Sequence, residues 1–250
     1  MNCKQNKNGL VLSMLAAACG LAVAPAVLAG PADKVYRPIV EKGEAEIELR
    51  GGYFDFGDGA DEYASVLDIG YAFTNNWKSE LVFEYEGETG GGAKPEAVEW
   101  ENLIVLTEQG KHWADVGLLI ELEHTFSAAP EEFKLGLLLE KEVGPTIADL
   151  NLVAVREFGS GASDETGLEY RWQLKWRGNE ALEWGMQGFG DAGTFEHLGQ
   201  DTGHSIGPAL FGLQRLQSGN KLAYDAAILA GLNAKAPDLT FRFNLEYEIY

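Results

Sequence analysis

The chain has four histidines, His112, His124, His197 and His204, and two cysteines, Cys3 and Cys19. No His-x-His, His-x-x-x-His or His-Glu-x-x-His spacing occurs, so no two imidazoles are set to grip a zinc ion from one face of an element. His197, Asp201 and His204 share the longest polar stretch and are the best candidates for a divalent ion, although solvated loop histidines are the favoured reading. His204-Ser205 suggests a base and a nucleophile. Adjacent strand residues point to opposite faces, however, so the pair cannot act together without a bend. His124 and Ser127, in another loop, make no better pair. The sequence lacks the P-loop pattern. The acids Asp55, Asp58, Asp61 and Glu62, and Asp164-Glu165, lack EF-hand spacing; bridging lipopolysaccharide through Ca²⁺ or Mg²⁺ suits them better than a dedicated site. The expectation is no catalytic residue, no metal ligand, no cofactor and no enzyme activity.

The elements that would carry any site begin after a leader. Lys4 and Lys7 precede an apolar run from Gly9 to Leu28, and Val27-Leu28-Ala29 offers a signal-peptidase site. Residues 1–29 are read as a secretory signal peptide cleaved near Ala29, which removes both cysteines. A transmembrane anchor fits less well, because the run is rich in Ala and contains Pro25. The leader holds two lysines and no acid, so cleavage takes the net charge from −20 to −22. Nucleic acid is therefore an unsuitable partner. No later stretch reaches the roughly 18 consecutive apolar residues of a membrane helix.

Beyond the leader the chain alternates apolar and polar residues with a period of two. Residues 30–43, with two prolines and no period, read as a periplasmic lead-in to a single domain over 44–250. Glu44 to Phe54 places Ile47 and Leu49 on one face and Glu46, Glu48 and Arg50 on the other. Further runs are Tyr63–Phe73, one opening at Trp77, Val98–Leu106, Trp113–Glu123, Glu132–Lys141, Ala148–Phe158, Leu168–Trp176, Ala181–Gly190, Ser205–Leu213, Lys221–Ala230 and Asp238–Tyr250. That is about twelve segments, each long enough to cross a bilayer at a tilt. The closing run, DLTFRFNLEYEIY, alternates aromatics with charges and has no later partner. It must pair back with something already made; the first run alternates in the same way, and if the two meet the sheet closes and has no edges.

The predicted architecture is all-β: an antiparallel, up-and-down transmembrane barrel of about twelve strands, with short turns on the periplasmic side and longer loops outside. Connections near Thr74, Thr107, Val143 and Gly178 are the short ones; those near Asp55, Gly87, His124, Gly159 and Asp191 are longer. A soluble sandwich would hide its large apolar residues between two sheets and would not gather aromatics at strand ends. Here Trp77, Trp113 and Trp176 abut short turns and Trp100 stands near a long loop, as two interfacial girdles require. On the opposite phase Glu46, Glu48, Arg50, Glu80, Glu84, Arg171, Lys175, Arg177, Arg242 and Glu246 are expected to line a wet lumen.

The segments GEAEIELRGGYFDF, WENLIVLTEQG, GPALFGLQ, KLAYDAAILAGL and FRFNLEYEIY together resemble the proteobacterial outer-membrane family of β-barrel porins grouped with proteins of the meta-pathway of phenol degradation. The resemblance covers nearly all of the chain after the leader and consists of strand patterns, with no catalytic signature. It implies fold and location in the bacterial outer membrane, with barrel-assembly machinery as a partner during biogenesis and lipid and lipopolysaccharide thereafter. One departure is that Tyr250 falls out of phase with Tyr247 and Ile249. The functional expectation is a narrow, porin-like channel for small solutes. The alternatives are a lipid-modifying outer-membrane enzyme and a non-conducting binding or structural barrel.

Overall fold

The computed structural model describes residues 30–250 apart from Asp58 and Asp201. The leader, both cysteines and one member of the His197/Asp201/His204 trio lie outside the described residues. Twelve strands succeed one another: β1 (Ala45–Asp55), β2 (Glu62–Thr74), β3 (Trp77–Glu88), β4 (Lys94–Val105), β5 (Asp115–Thr125) and β6 (Glu131–Val143). They continue as β7 (Thr146–Phe158), β8 (Thr166–Asn179), β9 (Leu182–Thr194), β10 (His204–Arg215), β11 (Lys221–Gly231) and β12 (Leu239–Ile249). Each strand pairs antiparallel with its sequence neighbour, and β1 pairs with β12, closing the barrel. The seam is regular, running from Ala45 opposite Ile249 to Asp55 opposite Leu239.

Alternation sets the two surfaces. Ile47, Leu49, Leu67, Ile69, Leu81, Phe83, Phe241 and Phe243 stand on the outer face and are exposed. Glu46, Glu48, Arg50, Asp68, Glu80 and Arg242 stand on the inner face and are buried. A water-soluble domain has the reverse arrangement, and an apolar outer surface of this extent is solvated by hydrocarbon.

Connection lengths distinguish the two ends of the barrel. Residues 75–76, 144–145 and 180–181 are tight hairpin turns at one end, whereas 56–61, 159–165, 195–203 and 232–238 are loops at the other. The expected short turn near Thr107 is instead the long connection 106–114, on the same end as the tight hairpins. Asp115 accounts for part of it: its carboxylate accepts the Gly110 N–H (2.7 Å) and holds the connection as an ordered excursion. Trp113 lies in that connection and not at a strand start, with the Lys141 ammonium over its ring. β4 also begins at Lys94, four residues before the expected Val98, because Pro95 and Lys94 pair with Tyr85 and Glu86 across a register shift. Proline is tolerated in a strand at such an irregularity.

Residues 30–43 are the largest departure from the sequence reading. The expected periplasmic lead-in runs inside the barrel, from Pro31 beside Gly52 to Glu41 beside Lys221. Gly52 makes this possible, since a Cβ there would stand 1.9 Å from the Pro31 carbonyl oxygen.

Candidate functional site

The interior is built from inward-pointing side chains and the segment threaded between them. Lys34 carries the central contact: its ammonium lies 2.6 Å from Glu48, 3.1 Å from Asp68 and 3.7 Å from Glu80. These acids come from β1, β2 and β3 at one level of the wall, and all are buried. Two residues on, the Tyr36 hydroxyl donates to Glu101 on β4 (2.7 Å). Arg37 reaches the next strands, with Nε 2.7 Å from Glu140 and 4.0 Å from Asp149. The segment therefore crosses the lumen from the wall of β1–β3 to that of β6–β7.

Asn151 on β7 reads the segment's backbone. Its Oδ1 accepts the Tyr36 N–H (2.7 Å) and its Nδ2 donates to the Tyr36 carbonyl (2.9 Å). Between the charged contacts, Val35 packs on the buried cluster Phe189, Ala209, Phe211, Ala227 and Leu229 of β9–β11. Tyr36 joins Leu103, Leu119 and Leu138. Successive side chains thus face different walls, as they must in an extended segment.

The wall's own cations form further local sets. Lys78 bridges Glu46 (2.8 Å) and Glu80 (3.0 Å). Lys134 lies within 2.6 Å of Glu121 and 2.8 Å of Glu123, with Glu99 and Glu132 each at 3.6 Å. Arg171 joins Glu169 (3.0 Å) to Asp33 of the segment (3.2 Å). Ions removed from water require such pairing, and removing one partner leaves the other costly.

Two cavities flank the segment. On the loop side about 540 Å³ is lined by Glu62, Glu84, Glu86, Glu99, Glu123 and Lys134, among others; on the hairpin side about 430 Å³ is lined by Glu41, Glu46, Lys78, Lys175, Glu183 and Glu248, among others. Tyr36 borders both. At the hairpin rim the chain end overhangs β12: the Tyr250 hydroxyl donates to Glu44 (2.7 Å) and also contacts Glu248 and Lys221. Burial raises the Glu44 carboxyl above its usual range, opposed by the Tyr250 hydrogen bond.

Of the residues named from sequence, Glu46, Glu48, Arg50, Glu80, Arg171 and Arg242 are buried in the interior, and Glu84, Lys175 and Glu246 face it half-buried. Arg177 does not belong to the interior. It lies exposed at the end of β8, paired with Glu142 (3.1 Å) at the hairpin rim. Among the tryptophans, Trp77 donates to Asn102 (3.0 Å), Trp176 stacks on Trp184, and Trp100 stands in mid-strand, donating to Ser79 (2.8 Å). His204 bonds to Tyr170 (2.7 Å) and His124 to Glu131 (2.8 Å); neither is joined to a serine among the described residues. Sequence reasoning missed Lys34, Tyr36, Arg37, Asn151 and Lys134. Lys134 and Asn151 had a signal, as inward-phase residues of alternating strands; the three residues of the segment had none.

A closed antiparallel barrel with an apolar exterior and a charged interior has the architecture of outer-membrane channels. Two solved structures are similar over nearly their whole length. The COG4313 outer membrane channel from Pseudomonas putida F1 matches with a TM-score of 0.56 at 13% identity, covering 86% of this chain and 98% of that one. The NanC porin matches with a TM-score of 0.54 at 10% identity, covering 82% and 99%. No protein-family model matches the chain, and no curated protein matches it. At these identities the likeness is one of fold. Membership of the phenol meta-pathway porin family is not confirmed by it.

Proposed function

We propose that the chain is an outer-membrane, porin-like channel of narrow bore that passes small solutes and favours cations, and is not an enzyme. The observation that carries this reading is the surplus of acid along the interior: eleven acids against three bases line the loop-side cavity, and eight against six line the hairpin-side one. Acidic rings in a low-dielectric pore raise the local concentration of cations and repel anions. Export through the cleaved leader, insertion by the barrel-assembly machinery, and a boundary of lipid and lipopolysaccharide belong to the same proposal. So does lumen lining by Glu46, Glu48, Arg50, Glu80, Glu84, Arg171, Lys175, Arg242 and Glu246. The likeness to two outer-membrane channels supports it.

The test is the reversal potential of the refolded chain in planar bilayers under a salt gradient. A small conductance with cation preference is expected; anion preference would overturn the charge argument. Orientation is tested separately on whole cells. A cysteine at Gly91 in the loop after β3 should react with an impermeant thiol reagent, and one at Asn76 in the tight hairpin should not.

A further inference from the structure

We infer that the lumen contains a recognition site for an extended oligopeptide with basic side chains three residues apart, and that residues 33–37 occupy this site in cis. The inference rests on the channel reading for its biological sense, but its geometry stands alone. Four features of the wall match a peptide ligand and not simply a space-filling plug.

The first is Asn151, fully buried, whose amide makes both of its bonds to the N–H and C=O of a single residue, Tyr36. Reading a backbone in this way fixes an extended chain whatever its side chains are. The second is a pair of acid pockets set for two cations: Glu48, Asp68 and Glu80 around Lys34, and Glu140 with Asp149 around Arg37. The third is room for the main chain itself. A Cβ at Gly52 would collide with Pro31, and one at Gly117 would stand 3.0 Å from the Pro38 Cβ. The fourth is unused acceptor capacity, since Asp68 Oδ1, Glu101 Oε2 and Glu140 Oε1 are buried and accept no hydrogen bond among the described residues. A ligand richer in donors would satisfy the wall better than the segment does.

The segment resembles a bound ligand for its own part. Backbone bonds tie Asp33 N–H to Gly30 and Ile39 N–H to Arg37, all within the segment, and no described strand pairs with residues 33–37. Pro31 and Pro38 bracket the residues that are read and restrict the chain before it binds. An intrachain occupant at this site competes with any peptide arriving from outside.

The experiment uses the full chain carrying Lys34→Glu and Arg37→Glu, which sets the segment's own charges against the acid pockets and leaves the wall intact. A fluorescent peptide with the sequence of residues 30–42, GPADKVYRPIVEK, is titrated in detergent and followed by anisotropy. Saturable binding to this variant is expected, at least about tenfold tighter than to the unmodified chain, whose site is already filled. Adding Asn151→Ala should weaken it by about tenfold, the effect of losing a buried hydrogen-bonded pair. Equal binding of a scrambled peptide of the same composition would reduce the interaction to general charge attraction and overturn the site. Absence of binding to the folded variant would also overturn it. Should the double substitution prevent folding, Lys34→Gln with Arg37→Gln serves instead, because it removes the segment's charges without adding like charge and leaves Gly52 and the rest of the wall unchanged. Conductance is recorded in parallel: peptide binding to a barrel that never conducts would sink the channel reading alone, and conduction without peptide binding would sink this site alone.

Discussion

On β1–β8 the inward side chains of the barrel are mostly charged, with Glu48, Asp68, Glu80, Glu101, Glu121, Glu140, Asp149 and Glu169 all buried. On β9–β11 the middle of the wall is small or apolar: Phe189, Ala209, Phe211, Ala227 and Leu229 form a continuous buried cluster, with Gln187 and Asp225 beside it and the acids Glu183 and Asp191 only toward the two ends of β9. The two halves place opposite demands on whatever lies between them. A wall of carboxylates needs cations, because a buried anion without a partner is worth several kcal/mol of instability, roughly 3 to 5 when one member of a pair is removed. The wall's own Arg50, Lys78, Lys134 and Arg171 serve only part of it, and Lys34 and Arg37 of the threaded segment make the closest contacts to Glu48, Asp68 and Glu140. The apolar half asks only to be covered, and Val35 covers it. The segment is therefore held in place by charge and merely packed by hydrophobic contact.

That contrast fails or stands on removing one residue from each side. Lys34→Met takes the nearest cation from Glu48 and Asp68, leaving them the longer contacts of Arg50 at 3.5 and 4.0 Å while Glu80 keeps Lys78, and is expected to cost about 3 to 5 kcal/mol, or to expel the segment into water. Val35→Ala on the apolar side should cost about 1 to 2 kcal/mol, the worth of its lost methyl groups. Urea titrations of the refolded protein in lipid vesicles measure both. Equal effects would mean that the two halves hold the segment alike.

Phe243→Arg tests the outer surface against both halves of the interior. Phe243 is exposed in the middle of β12, and an arginine on the lipid side near the midplane costs roughly 2 to 4 kcal/mol. If the substitution is tolerated, the outer face is wet and the assignment of surfaces is reversed. Phe211→Leu, inside the apolar half, keeps the chemistry and most of the volume and should cost less than about 1.5 kcal/mol. A larger loss by the same titration would show that this half is packed as tightly as a soluble core.

Arg242→Ala tests the inner face of β12, beside the apolar half. Its guanidinium stacks over Phe189 at 4.0 Å, and its Nε has no hydrogen-bond acceptor among the described residues. Stability should fall by no more than about 1 to 2 kcal/mol, the value of a desolvated cation–π contact. The clearer readout is ionic: loss of one interior positive charge should increase the cation preference of the conductance.

Strand number, strand phase and closure were legible because a barrel strand between lipid and charge repeats every two residues, and that repeat is local. DLTFRFNLEYEIY shows it residue by residue, and that strand pairs with β1 at the seam. The signal weakened on β10 and β11, where inward residues are small or apolar and the two faces look alike. It failed at residues 106–114, whose connection is ordered by a carboxylate outside the turn itself. It also failed at Arg177, which keeps the inward phase but lies past the point where the wall encloses it. Local alternation alone thus specifies the barrel and most of the residues that turn inward. The filling of the lumen by residues 30–43 emerges only in three dimensions. No period marks that segment, and its partners are long-range: Glu48 lies 14 positions from Lys34, and Asn151 lies 115 from Tyr36. Such contacts exist only once the sheet has closed around the chain and brought β1 and β7 to opposite sides of one narrow space.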